Sequence, residues 1–206
     1  DPEASEDTSI MKAPTLLKAA SIVGNMLAQV RKEIDDKLSA MHQGATASMI
    51  LAGQRKGGEM RLFLIYPEGN FIEATEDTPF LQIGESKYGK PILDRVLVPL
   101  TPLDEATKCA LISMDSTLKS NLSVGLPLDL VVYREGAFAS DQHVCIDEQN
   151  PYFNMIRSTW GQRLREVFEG IEDPQWNGGQ AGAPLRIGSE RYEPLRKVTH
   201  SGQLIV

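Results

Sequence analysis

From Pro14 to Met41 the apolar residues Leu16, Ala20, Val23, Leu27, Val30, Ile34, Leu38 and Met41 recur at alternating spacings of three and four. That period lines one side of a long helix and fits no strand, so the rest of the chain must supply a matching apolar surface. Pro14 suits the first turn of such a helix and Gly44 its end. The spacing approaches that of a coiled-coil seam, but Lys37 interrupts it. The expectation is a helix packed along a globular core.

Beyond the helix the period changes to that of strands. Ala47–Gly53 reads as a buried strand and Arg61–Tyr66 as a second; Pro67-Glu68-Gly69-Asn70 forms a turn, and Phe71–Ala74 returns antiparallel. Phe80–Gly84 reads as one further short strand. Thr101 before Pro102, Asp104 and Glu105 predicts a helix start with a capping hydroxyl and acids at the positive end of the dipole. The stripe Leu103, Ala106, Ala110, Leu111, Met114, Leu118 carries that helix to about Lys119. Leu128–Tyr133 and Phe138–Ile146 form a hairpin about the turn Arg134-Glu135-Gly136. A last helix spans Pro151–Glu169, with Phe153, Ile156, Trp160, Leu164 and Val167 on one face. Hairpins alternating with helices predict a layered α+β domain in place of a doubly wound parallel sheet. The organisation expected is an acidic leader or loop over 1–13, a domain over 14–170, and an extended tail over 171–206.

Composition narrows the function classes. The 206 residues carry 28 acidic against 21 basic side chains, for a net charge of −7. Without a basic stripe, nucleic acid is not the expected partner. No apolar run approaches the ~20 residues that span a bilayer, so no membrane partner is expected. Cys109 and Cys145 share no C-x-x-C spacing and fit a reducing, cytoplasmic setting. The chain opens on Asp1-Pro2, not Met, so the start of the protein is expected upstream.

The familiar catalytic signatures are missing: no phosphate-binding glycine loop, no H-E-x-x-H, no G-x-S-x-G. No cofactor or metal is expected. His42, His143 and His200 read as solvated or structural, and the carboxylates from Glu73 to Asp77 as solvated loop residues. What remains is the hydroxyl-rich stretch Ser113–Gly125, where a helix gives way to a strand. Such residues make turns at a helix end by bonding the local backbone, so by spacing alone turn chemistry is the leading reading and a site edge the second.

Three long runs resemble one family. FLIYPEGNFIEA (Phe63–Ala74), FLQIGESKYGKPILDR (Phe80–Arg95) and LKSNLSVGLPLDL (Leu118–Leu130) are similar to the bacterial proteasome-type proteases called Anbu, the ancestral β subunit. The resemblance covers most of Pro14 to Glu169. It implies the N-terminal nucleophile hydrolase fold, a four-layer αββα sandwich, whose first strands would lie upstream of Asp1. It also implies peptide or amide hydrolysis by the first residue of the mature chain, usually Thr, with its own α-amine as general base. Asp1, a carboxylate followed by an imino acid, does not fit that role, so this stretch by itself is expected to be inactive.

Supporting positions follow from the resemblance residue by residue. Proteasome β subunits place a Gly-Ser-Gly near the nucleophile; Gly84-Glu85-Ser86 stands there in changed order, making Ser86 the matching hydroxyl. An Asp-x-x-Ser pair follows their penultimate helix; here it is Ser120-Asn121-Leu122-Ser123, with Ser120 in the acid's place. In some relatives backbone carbonyls at this spacing hold a cation, and Thr117, Ser120 and Ser123 share it. The resemblance also implies self-association into a homo-oligomeric ring or helical assembly. A catalytically silent assembly subunit, favoured by the serine at 120, and an amidohydrolase acting on a small amide stay open as alternatives.

Overall fold

The computed structural model describes residues 5–38, 46–140 and 142–173. Met41, His42, Gly44, residues 1–4 of the acidic leader, His200 and the tail from 174 onward lie outside the described residues. The chain divides into two compact units, Asp1–Trp160 and Gly161–Val206.

Helix α1 runs from Leu16 to Leu38. Its cap is Thr15, whose Oγ1 accepts the Lys18 N–H at 3.1 Å, so Pro14 stands before the cap and not within the first turn. Leu16, Ala20 and Leu27 are buried against Phe63 and Ile65 of the central strand β2 (Arg61–Ile65). Strands β1 (Met49–Gly53) and β3 (Phe71–Glu73) pair antiparallel on either side of β2. Phe63 and Phe71 meet edge to face at 5.6 Å between ring centres.

The turn into β3 sits directly on α1. A Cβ on Gly24 would collide with the Gly69 carbonyl oxygen, and Gly69 itself has φ +89°. Two glycines therefore let hairpin and helix touch backbone to backbone. Arg31 Nη1 adds an ion pair to Glu68 at 2.5 Å.

The strand expected to be buried is an edge. Among the described residues β1 pairs with β2 on one side only, and Met49 and Ile50 are exposed. Register explains the apolar run: Leu51 points at α1, while Ile50 and Ala52 join Leu62, Leu64 and Ile72 on the opposite face. Both faces are apolar, so strict alternation is lost.

Phe80–Gly84 is not a strand; it runs without ladder partners among the described residues to Gly84, at φ +74°. A helix the sequence reading did not anticipate follows, α2 (Lys90–Val96), with Pro91 in its first turn. Helix α3 spans Leu103–Ser120. Its cap position is Pro102, and Thr101 does not cap it: the Thr101 hydroxyl accepts the Val98 N–H at 2.9 Å instead. The first turn keeps Asp104 and Glu105.

Strands β4 (Leu128–Val132) and β5 (Gln142–Ile146) form the second sheet. The returning strand begins later than Phe138, because Phe138 itself has φ +52° within the loop, a conformation that ends strand pairing. Helix α4 spans Pro151–Glu169. Leu111, Ile146, Phe153 and Ile156 make this sheet's core. Leu164 and Val167, on the same stripe, are exposed.

Helices thus cover one face of each antiparallel sheet. Between the two sheets the Gly136 N–H donates to Gln54 Oε1 at 2.7 Å. This is the α+β layering expected from the element order.

Candidate functional site

Helix α3 is buried around most of its circumference, which is why its second half carries polar residues inside. Ser113, Asp115 and Thr117 are all buried, Asp115 at 0% exposure. Thr117 satisfies its hydroxyl within the helix by donating to the Ser113 carbonyl at 3.0 Å. Asp115 Oδ1 accepts from Arg157 Nε of α4 at 3.2 Å. Its Oδ2 makes no hydrogen bond and lies 3.6 Å from Lys119 Nζ. A buried carboxylate is tolerable only beside compensating charge, so this pair fixes how α3 and α4 approach.

The end of α3 turns sharply. The Asn121 N–H caps Thr117 O at 2.9 Å, and Asn121 Oδ1 receives both the N–H and the Oγ–H of Ser123 at 2.8 Å. This is an Asx-type turn. It brings Ser120 and Ser123 to one exposed loop, with the Ser123 hydroxyl turned inward on Asn121. The Thr117 carbonyl is occupied by the helix cap.

Ser86 lies at the approach to α2. Its carbonyl accepts the Lys90 N–H at 2.9 Å. Three residues on, Gly89 is buried against α3: an added Cβ would strike Ser113 Oγ and come within 3.2 Å of Thr117 Oγ1. Gly89, not Ser86, is the residue seen against α3, and no hydrogen bond joins Ser86 to the Ser120–Ser123 turn among the described residues. A cavity of about 490 Å³ is lined by Ser48, Leu64, Tyr66, Gln82 and Gly84, and Ser86 is not among its lining residues. Gln82 Oε1 is buried there without a hydrogen-bond partner.

The other candidate groups have structural duties. Burial pushes the Cys109 thiol above its ordinary range, so it is no thiolate nucleophile. His143 Nε2 lies 3.3 Å from Asp129 Oδ1, both side chains exposed. Glu73 is no solvated loop carboxylate: Arg61 grips it through two bonds of 2.5 Å, and this hydrogen bonding holds it below the usual range. Among the described residues no group of three or more His, Cys, Asp or Glu is placed to hold a metal, and no helix is long and apolar enough to cross a membrane.

Sequence reading missed that Asp115 is buried and paired. The signal was present: an acid inside an otherwise apolar and hydroxyl-bearing helix, followed four residues later by Lys119.

Layered helices and antiparallel sheets of this order make an α+β protein compatible with the N-terminal nucleophile hydrolase fold. No protein-family model matches the chain and no curated protein does. Solved structures do. Anbu (ancestral beta-subunit) from Yersinia bercovieri is 48% identical, with a TM-score of 0.77 over 85% of this chain and 71% of that one. Anbu from Hyphomicrobium sp. strain MC1 is 44% identical, at 0.71 over 84% and 69%. The helical assembly of the Anbu complex from Pseudomonas aeruginosa is 44% identical, at 0.73 over 79% and 67%. The chain belongs to the Anbu family.

Proposed function

We propose that this chain is a subunit of a self-assembling, proteasome-type peptidase that cleaves peptide or amide bonds with the first residue of its mature polypeptide. The identity with Anbu structures across 85% of the chain carries the reading. The helical assembly formed by the Pseudomonas aeruginosa relative supports self-association. In this reading residues 14–170 form the domain and the nucleophile comes from outside the 206 residues. An α-amine with a pKa near 8 is partly unprotonated at neutral pH and can take the nucleophile's proton. Ser86, Ser120 and Ser123 act as supporting hydroxyls at the edge of that site. The setting is cytoplasmic and the substrate a peptide or small amide.

One observation favours a silent assembly subunit as second reading. Ser120 stands where a carboxylate would hold the N-terminal ammonium, and the Ser123 hydroxyl is already spent on Asn121. The test is hydrolysis of a fluorogenic peptide by the protein with its native N-terminus. Activity that disappears when the first mature residue becomes Ala supports the peptidase. No activity in either form, or activity in both, overturns it.

A further inference from the structure

The apolar stripe of α4 changes its surroundings halfway along. Phe153 and Ile156 are buried in the second sheet's core. The continuation of the same stripe stands in solvent: Leu164, Val167 and Phe168, with Ile171 in the closing turn, are 49%, 64%, 75% and 66% exposed. At 3.6 residues per turn the three on the helix, Leu164, Val167 and Phe168, fall within an arc of about 100°. Three bulky apolar side chains on one arc, with exposed Ile171 just beyond the helix end and charge around them, mark an interaction surface.

The charges say what fits it. Arg163 and Arg165, with Glu166, precede the stripe's centre, and Glu169, Glu172 and Asp173 follow it. Arg163 is engaged within the helix by Glu166 at 2.7 Å. Arg165, for which no partner is found among the described residues, shares a flank with Glu169. A two-fold, antiparallel pairing of this segment sets the basic end of each copy against the acidic end of the other, and the apolar arcs against each other. The segment is thus complementary to itself.

We propose that Leu164, Val167, Phe168 and Ile171 form a contact between two copies of this chain, aligned antiparallel, with Arg165 of one copy opposite Glu169 and Glu172 of the other. This rests on the self-association reading above and gives it a surface.

The experiment is mass determination of the full chain by light scattering after size exclusion. Phe168→Asp, at a position three-quarters exposed, is expected to keep the helical circular dichroism and to lower the mass about twofold, as loss of an isologous contact requires. Arg165→Glu is expected to weaken association, and adding Glu169→Arg with Glu172→Arg to restore it. A mass unchanged by Phe168→Asp overturns the surface while leaving self-association standing; that includes the case in which residues 174–206 cover the stripe. A monomeric parent chain overturns both.

Discussion

The two helix-on-sheet layers are built on different principles. Between α1 and β1–β3 the buried cluster is Leu16, Ala20, Leu27, Phe63 and Ile65, with no charge among them. Between β4–β5 and helices α3 and α4 the apolar cluster is joined by buried Asp115, which pairs with Arg157 of α4. The first layer gains its precision from close packing, down to the Gly24–Gly69 contact. The second accepts a buried carboxylate, and it is there that the hydroxyl-bearing turn of the candidate site begins. Polar groups held rigidly inside a core are costly to misplace, which suits them to set the position of a neighbouring loop.

That contrast can be broken by mutation. The largest effect belongs to the packed layer: Phe63→Ala should lower the unfolding free energy by ~3–5 kcal/mol, measured by urea denaturation. A loss below 1 kcal/mol would mean that this core is not the anchor of its layer. Next, Asp115→Ala should cost ~1–3 kcal/mol, because Arg157, 39% exposed in its side chain, can turn to water once its partner is gone. A double-mutant cycle with Arg157→Ala reads their coupling, and a coupling of zero would remove the tie between α3 and α4. Thr15→Ala should cost ~1 kcal/mol by uncapping α1. Thr101→Ala, lacking a cap to lose, should leave the helical signal of α3 intact.

The smallest effect is a pH dependence in the first layer. Glu73 titrates below its ordinary value because Arg61 bonds its charged form. The unfolded chain therefore takes up the proton first as pH falls. The stabilisation is complete above the unfolded carboxylate's pKa and is lost as pH drops through the lower, folded value. Glu73→Gln should flatten that part of the acid limb by a fraction of a kcal/mol, since the pair is one-third exposed.

Much of the fold was legible because periodicity reports burial. The α1 stripe, the hairpin about Gly69, the body of α3 and the bounds of α4 all follow from it. What failed had local causes. β1 looked buried because both its faces are apolar, and periodicity does not distinguish an edge strand from a central one. Phe80–Gly84 has the composition of a strand but no ladder to join among the described residues. Seven-residue α2 is too short to show a period. Thr101 had the chemistry of a cap and lost the place to Pro102. Of the site, the turn at Ser120–Ser123 was readable as helix-end chemistry, and the reading of those serines as hydroxyls of a catalytic centre came from resemblance. Asp115 had a local signal in Lys119, but its pairing with Arg157 had none, because the two lie 42 residues apart.

The central claim is that bond cleavage belongs to the first residue of the mature protein while Ser86, Ser120 and Ser123 only support it. The most direct measurement is to treat the protein carrying its native N-terminus with a peptide electrophile and map the covalent adduct by mass spectrometry. The account predicts a single adduct on the first residue, formed more slowly in Ser120→Ala or Ser123→Ala but not moved to another residue. An adduct on Ser86, Ser120, Ser123 or Cys145 would contradict it.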